Sequence, residues 1–441
     1  MRNFLERLFH LSERQTSVKN EALGGVTTFM TMPYIIFVQP AILSQTGMDR
    51  GAVMVATCLS SALATLLMGL LANYPFAQAP YMGHNIFFAV VVCGVMGYPW
   101  QVALGAIFIS GTILTLFSLI GVWEGLVAAV PSSLKNAISV GIGLLIALVG
   151  LEYGGLVVDT PGVLVGIGDL TSRPVLLVLF GIALTACLMA LKIKGAILLG
   201  LLATSLIGLP LKIVRYHGLF SFPPNLEPTL LKLDIAGAFQ AGLLTIIFVF
   251  FFLDLFDSVG TFIGVSAPAG FIKDGRLPGA NKAMLADSLA TVAGSLLGTS
   301  TVGSYIESST GIAQGARTGL ANVFTSFLFL ISLFFSPLAE MIGGEYTYGN
   351  LVLRPVIAPP LIIVGYLMMK VVTQINWDDL TEAIPAFLTI IIMPMTISIT
   401  DGITFGFISY SLLKLVSGRG REVHWIIYLF SILFIIRYVL Q

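Results

Sequence analysis

Along this chain, apolar stretches of roughly 16–25 residues recur from Ala22 to Leu440, parted by short polar breaks. Each approaches the length an α-helix needs to cross a hydrocarbon core of about 30 Å. The pattern predicts spans near 22–44, 52–72, 77–95, 100–121, 131–151, 174–191 and 195–211. A second set follows near 236–265, 283–299, 302–318, 319–341, 350–372, 383–400 and 402–417. One more apolar segment, 424–440, either spans the membrane or lies in its interface. The expected fold is therefore an all-α polytopic membrane protein with fourteen transmembrane segments and an extra C-terminal apolar helix.

Composition agrees: 57% of residues are hydrophobic and 10% charged, against about 25% charged in a soluble domain. The net charge of zero gives no basic surface for nucleic acid. Residues 1–21, with Arg2, Arg7, Arg14 and Lys19 among acids, lack the apolar core of a signal peptide and read as a cytoplasmic amphipathic segment. Cys58, Cys93 and Cys187 sit in apolar runs at spacings that suit neither a metal nor a disulfide framework. With the N-terminus inside, Lys192, Lys194, Lys273, Arg276, Lys282, Lys414, Arg419 and Arg421 fall in inner loops, and Glu152, Asp159, Asp169, Glu340 and Glu345 in outer ones. Basic residues set topology, so the bias favours N-inside, although Lys212, Arg215 and Lys232 fall on the other side.

Two sets of seven spans put an odd number in each half, so the halves run in opposite orientation. FAQAPYMGHNIFFAV, with Asn85, corresponds to GTSTVGSYIESSTGI, with Glu307. VPSSLKNAISVGIGLL likewise corresponds to LRPVIAPPLIIVGYLM, and each half closes on a tight hairpin, at KIKG and at ITDG. Inverted repeats with paired interrupted helices belong to secondary transporters, which bind where the repeats meet. Non-helical backbone at membrane depth is tolerated only under protein cover or beside a cavity. Pro80 restricts Ala79 to extended conformations, and Thr299 to Val302 favour extended chain. Ser304 followed by Glu307 reads as a capping box opening the second half-helix. The third and tenth helices are thus expected to be broken.

Candidate chemistry centres on acids in apolar sequence. Asp254 and Asp257 interrupt LLTIIFVFFFLDLFDSVGTFIGV, and Glu307 lies in a Gly/Ser/Thr-rich stretch. An ionised group at the centre of a membrane helix costs on the order of 3 kcal/mol, so such groups face a protein interior or a path. Spacing places Asp254 and Asp257 on one helix face and leaves open which of them faces the path. Asn85, with Asp254, Asp257 and Glu307, forms the expected substrate site. His84, Thr261, Asp287, Ser304 and Ser308 are supporting candidates, and Phe87 and Phe88 are candidates for ring stacking. No metal site and no cofactor are expected.

Several of these stretches resemble one family: EALGGVTTFMTMPYIIFVQPAIL, APYMGHNIFFA, VPSSLKNAISVGIGLLIALVGL, FFLDLFDSVGTFIGV and GTSTVGSYIESSTGIAQGARTGLANV. The resemblance is to nucleobase–cation symporters of the nucleobase–ascorbate class, in the AzgA-like purine-permease branch, and runs over about residues 15–420. It implies a seven-plus-seven inverted repeat with a core domain (22–121 and 236–341) and a gate domain (131–211 and 350–417). It also implies proton-coupled import of hypoxanthine, guanine or adenine through the cell (inner) membrane, commonly by a homodimer. The family's third-helix asparagine falls on Asn85, its eighth-helix acids on Asp254 and Asp257, and its tenth-helix glutamate on Glu307. The Glu-x-x-Gly-x pattern of uracil and xanthine carriers falls on Asp257 to Thr261 and favours Asp257. The branch's APGMGLN is here APYMGHN, with Tyr81 and His84 departing from it.

A purine edge offers paired N–H donors, which a carboxylate accepts side by side; Asn85 can donate and accept at once. Acids at membrane depth also serve as proton carriers, so H+ is the expected coupling ion. Anion carriers of the sulfate and bicarbonate type share the expected fold, but acids in both the eighth and tenth segments disfavour an anionic substrate. An intramembrane aspartyl protease would need a second motif of the GLGD kind, which is absent, and nothing resembles a channel's repeated filter.

Overall fold

In the computed structural model, residues 2–121, 129–160, 163–239, 243–272 and 277–440 are described. The chain opens with α1 (Arg2–Phe9), α2 (Val18–Thr31), α3 (Tyr34–Leu43) and α4 (Arg50–Leu71). Strand β1 (Gln78–Pro80) then leads into α5 (Met82–Ile86), which widens into a π-helix over Phe87–Val95. Next come α6 (Trp100–Ile120), α7 (Ser132–Tyr153), the hairpin β2 (Val157–Thr160) and β3 (Val163–Ile167), α8 (Arg173–Ala190) and α9 (Ala196–Gly208). The second half has α10 (Leu243–Ala269), α11 (Ala280–Leu297), β4 (Val302–Ser304), α12 (Ser308–Ala313), α13 (Leu320–Ser332) and α14 (Ser336–Ile342). It ends with β5 (Tyr346–Tyr348), β6 (Leu351–Leu353), α15 (Ala358–Met369), α16 (Leu380–Thr396), α17 (Ile399–Val416) and α18 (Trp425–Leu440).

Eight helical stretches among the described residues are long and apolar enough to cross a membrane, and five shorter apolar helices include Met82–Val95 and Trp425–Ile436. Three expected spans differ in detail. The span at 22–44 is interrupted between α2 and α3, where Pro33 holds the N-cap position. The span at 350–372 begins as strand β6, and its helix starts only at Ala358. The span at 302–318 holds a strand and the six-residue α12. Lys273 and Arg276, used for orientation, lie outside the described residues.

The chain forms two compact units, one of residues 1–121 and 152–360, the other of 122–151 and 361–441. In the first, backbones meet closely where side chains permit. A Cβ on Gly319 would lie 2.0 Å from the Gly69 carbonyl oxygen, so α4 reaches the start of α13 only because both positions are glycine. Glu21 on α2 is buried, and its carboxylate accepts from the N–H groups of Arg317 (2.8 Å), Ala321 (3.2 Å) and Thr318 (3.3 Å). It thereby caps α13 with a charge, where the helix leaves N–H groups unpaired. In the second unit, Lys414 is buried against Glu422 (2.9 Å), Asp379 (3.7 Å) and Glu382 (3.9 Å). Arg419 closes the network on Asp379 (2.6 Å) and Glu422 (2.8 Å). Hydrogen bonds from Arg419 and Lys414 hold the Glu422 carboxyl down at about 2.

Candidate functional site

Within the first unit, β1 and β4 pair antiparallel, with Gln78 opposite Ser304, Ala79 opposite Gly303 and Pro80 opposite Val302. Both strands are buried, so their polar backbone groups must be met by protein. The Tyr81 N–H reaches the Thr301 carbonyl (3.0 Å), and the Tyr305 N–H reaches that of Ala77 (3.0 Å). Ala77 N–H donates to Ser308 Oγ (3.0 Å), and Gln78 N–H to Thr65 Oγ1 (2.9 Å). Each strand then gives way to a short helix, α5 after β1 and α12 after β4. The two interrupted segments are therefore one construction, laced together through their extended parts.

Ser304 does not open α12. It ends β4, and both its N–H (3.0 Å) and its hydroxyl (2.9 Å) donate to Asp287 Oδ1. Glu307 stands at the N-cap position of α12 with no side-chain cap bond, and its Oε1 accepts from Tyr34 OH at 3.1 Å. The capping-box reading is thereby corrected: an acceptor already presented by α11 takes the N–H that a cap would have used. In the first copy the N-cap position belongs to Tyr81, so Asn85 is not the structural counterpart of Glu307.

The acids divide by what they touch. Asp287 on α11 is buried; its Oδ1 also accepts from Gln78 Nε2 (2.8 Å), and its Oδ2 accepts from Ser258 Oγ. Asp254 on α10 is buried too, with Oδ2 at 2.9 Å from Thr291 Oγ1, which lies equally close to the Val302 carbonyl. Asp257, one turn further along α10, keeps 22% of its side chain exposed. Glu307 is half-buried, as is Thr261, a turn beyond Asp257. Further along α10, Gly260 has free space where a Cβ would stand, whereas a Cβ on Gly264 would lie 3.1 Å from Ile306. Asp257 and Glu307 each keep an accessible part, while Asp254 and Asp287 tie α10, α11 and β4 together.

Asn85 is buried, accepts from Ser300 Oγ and turns Nδ2 toward Met82 sulfur (3.9 Å). Phe87 and Phe88 are buried as well, Phe87 edge-on to Phe250 at 4.9 Å, so they are packing residues rather than a stacking platform. The rings of Tyr305, Tyr81 and His84 instead form a stack, at 6.0 Å and 5.0 Å between neighbours. Tyr81 OH reaches Ser258 Oγ (3.1 Å), and its ring lies over Gly303, where a Cβ would come within 2.3 Å of it. Gly303→Ala should therefore part β1 from β4 and remove most folded carrier, measured by fluorescence-detected size-exclusion chromatography. Tyr81→Gly in the same chain should restore it, because the obstructing ring is then gone.

Sequence reasoning placed the four principal residues and Asp287, Ser304 and Ser308 in one region; the structure joins Ser304 to Asp287, Ser308 to Ala77 of the first interrupted segment, and Asn85 to Ser300 beside the second. It missed Tyr34, Gln78, Ser258, Thr291 and Ser300. Gln78 and Tyr34 carried a readable signal, being polar positions in apolar runs beside an interrupted helix.

Paired interrupted segments within inverted halves, holding acids in an apolar bundle, define the class of secondary membrane carriers. The chain belongs to the xanthine/uracil permease family: the model described as "Permease family" matches residues 19–405. Within it, the chain falls in the AzgA-like branch of the nucleobase–ascorbate class that its motifs resemble. It is 50% identical to a permease of Methanocaldococcus jannaschii over 99% of this chain and 98% of that one. It is 44% identical to the adenine permease AdeP of Escherichia coli (99% and 96% covered). It is 42% identical to the guanine/hypoxanthine permease PbuG of Bacillus subtilis (99% of each). Among solved structures, the transmembrane domain of the cyanobacterium bicarbonate transporter BicA superposes with a TM-score of 0.63 at 15% identity, covering 88% of this chain and 97% of that one. A murine Solute Carrier 26 family anion transporter in the inward-facing state gives 0.65 at 12%, covering 95% and 72%. That likeness is one of fold, the seven-plus-seven repeat.

Proposed function

We propose that this permease imports purine bases (hypoxanthine, guanine or adenine) across the cell (inner) membrane together with protons. The observation that carries the reading is Asp257, a carboxylate in apolar sequence that remains partly open, with free space at Gly260 a turn along the same helix. Such a group accepts two parallel N–H donors of a base edge and disfavours an anion. Relatives named as adenine and guanine/hypoxanthine permeases, matched over nearly their whole lengths, support the same substrate class. The basic bias of the loops supports an N-terminus on the cytoplasmic side, and a homodimer is the assembly we propose. Substrate would contact Asp257 and Glu307, with Asn85 and Asp254 behind them, and the proton would travel on these acids.

The decisive measurement is uptake of labelled hypoxanthine in cells stripped of their own base carriers, against a panel of unlabelled competitors. Guanine or adenine in about tenfold excess should suppress uptake, a protonophore should abolish it, and sulfate or bicarbonate should leave it unchanged. Competition by the anions and not by purines would overturn the substrate. Sodium dependence without protonophore sensitivity would replace the coupling ion.

A further inference from the structure

We infer that His84 is the positioning residue of Asp257. The inference rests on the purine-carrier reading above and adds to it the group that aims its carboxylate. His84 is completely buried on α5, yet among the described residues neither ring nitrogen has a hydrogen-bond partner. A buried imidazole always carries a donor, and leaving a buried donor unmet is costly. The polar atom beside it is Asp257 Oδ2, 3.7 Å from Nδ1, beyond a hydrogen bond but within a small side-chain rotation of one. Asp287 holds Gln78, Ser258 and Ser304, and Asp254 meets Thr291 through Oδ2 and leaves Oδ1 unpaired, but among the described residues the carboxylate within 4 Å of the imidazole is that of Asp257. The face of the imidazole is covered by Tyr81, which is itself stacked on Tyr305, so the ring is held in place from one side.

The exposures fix the direction of action. His84 is closed off while Asp257 is partly open, so the histidine stands behind the carboxylate and cannot itself meet a solute from the open side. An Nδ1–H bond to Oδ2 would hold the carboxylate in one rotamer and leave Oδ1 for the open side. A carboxylate so fixed meets a base edge without losing rotamer freedom on binding.

The test compares His84→Leu with His84→Gln. Leucine keeps the bulk of the ring and removes the donor, whereas glutamine keeps a donor of similar reach. The KM for labelled hypoxanthine should rise about tenfold for leucine and stay within about twofold of wild type for glutamine, at equal amounts of folded carrier. A packing role predicts the reverse order, and two unchanged variants, or two equally impaired ones, would overturn the assignment. The second measurement is a melting-temperature cycle in detergent with Asp257→Ala. The loss caused by His84→Leu should vanish when Asp257 is already alanine, and additive losses would show that the two side chains do not interact. Wild-type carrier that takes up no purine base would sink the substrate reading alone, since the cycle still decides the pair.

Discussion

Asp257→Ala is expected to cut purine uptake by about a hundredfold or more while leaving the amount of folded carrier near wild type. Of the three acids on α10 and α11, Asp257 alone keeps an open side chain, and among the described residues its one polar scaffold contact is the His84 pair inferred above. Removing a partly buried carboxylate that accepts two donors forfeits about 3–5 kcal/mol of a charged, hydrogen-bonded contact, which sets the expected factor. Asp257→Asn should recover only part of the loss, because an amide offers one acceptor and turns a donor toward the base. Asp254→Ala supplies the contrast. Its carboxylate is buried against Thr291, so the loss should appear in the yield of folded protein rather than in the KM of what folds. Uptake that persists in Asp257→Ala at wild-type KM would remove this residue from the site.

That contrast also shows where the sequence stops being readable. The i, i+3 spacing puts Asp254 and Asp257 on one face of α10, but a face inside a bundle is shared among neighbours. Only the packing of α11, which brings Thr291 to one acid and not the other, separates them. The interrupted segments were legible because Pro80 and the run from Thr299 to Val302 cannot be plain membrane helix. Their pairing as strands was not, since three residues on each side carry no periodicity and the register depends on contacts with α4 and α11. Ser304 and Glu307 have the spacing of a capping box in any sequence. They fail to form one because Asp287 already presents an acceptor to Ser304, a fact that lies in tertiary structure. The family motifs singled out Asn85 but said nothing of its burial, and Ser300, its partner, is an ordinary serine until the fold is known.

The same hydrogen bonds make Asp287 the position where the fold is most exposed to a single change. Asp287→Ala removes the common acceptor of Gln78 Nε2, the Ser304 N–H, the Ser304 hydroxyl and the Ser258 hydroxyl. The two hydroxyls can turn elsewhere and Gln78 Nε2 keeps its second bond, to Ser304 Oγ (3.1 Å), but the Ser304 N–H and the Gln78 side-chain N–H that faced Asp287 belong to the paired strands and cannot. Each buried donor so orphaned costs about 1–3 kcal/mol, and the cavity adds to that, for a total of roughly 3–5 kcal/mol. A loss of that size is a large fraction of a typical folding free energy. Asp287→Ala should therefore lower the melting temperature sharply and reduce folded carrier to a small part of wild type. Asp287→Asn should be far milder, because its oxygen can take the position of Oδ1 and meet three of the four donors. Its amide can then donate to Ser258, whose hydroxyl is free to rotate. Uptake by the asparagine variant should survive with little change in KM, since Asp287 holds the two interrupted segments in register and the open surface belongs to Asp257 and Glu307. An alanine variant that melts like wild type would show that β1 and β4 stay paired without it. The site would then owe its shape to the remaining contacts of the paired segments, among them the Tyr81 and Tyr305 backbone bonds and those of Ala77 and Gln78.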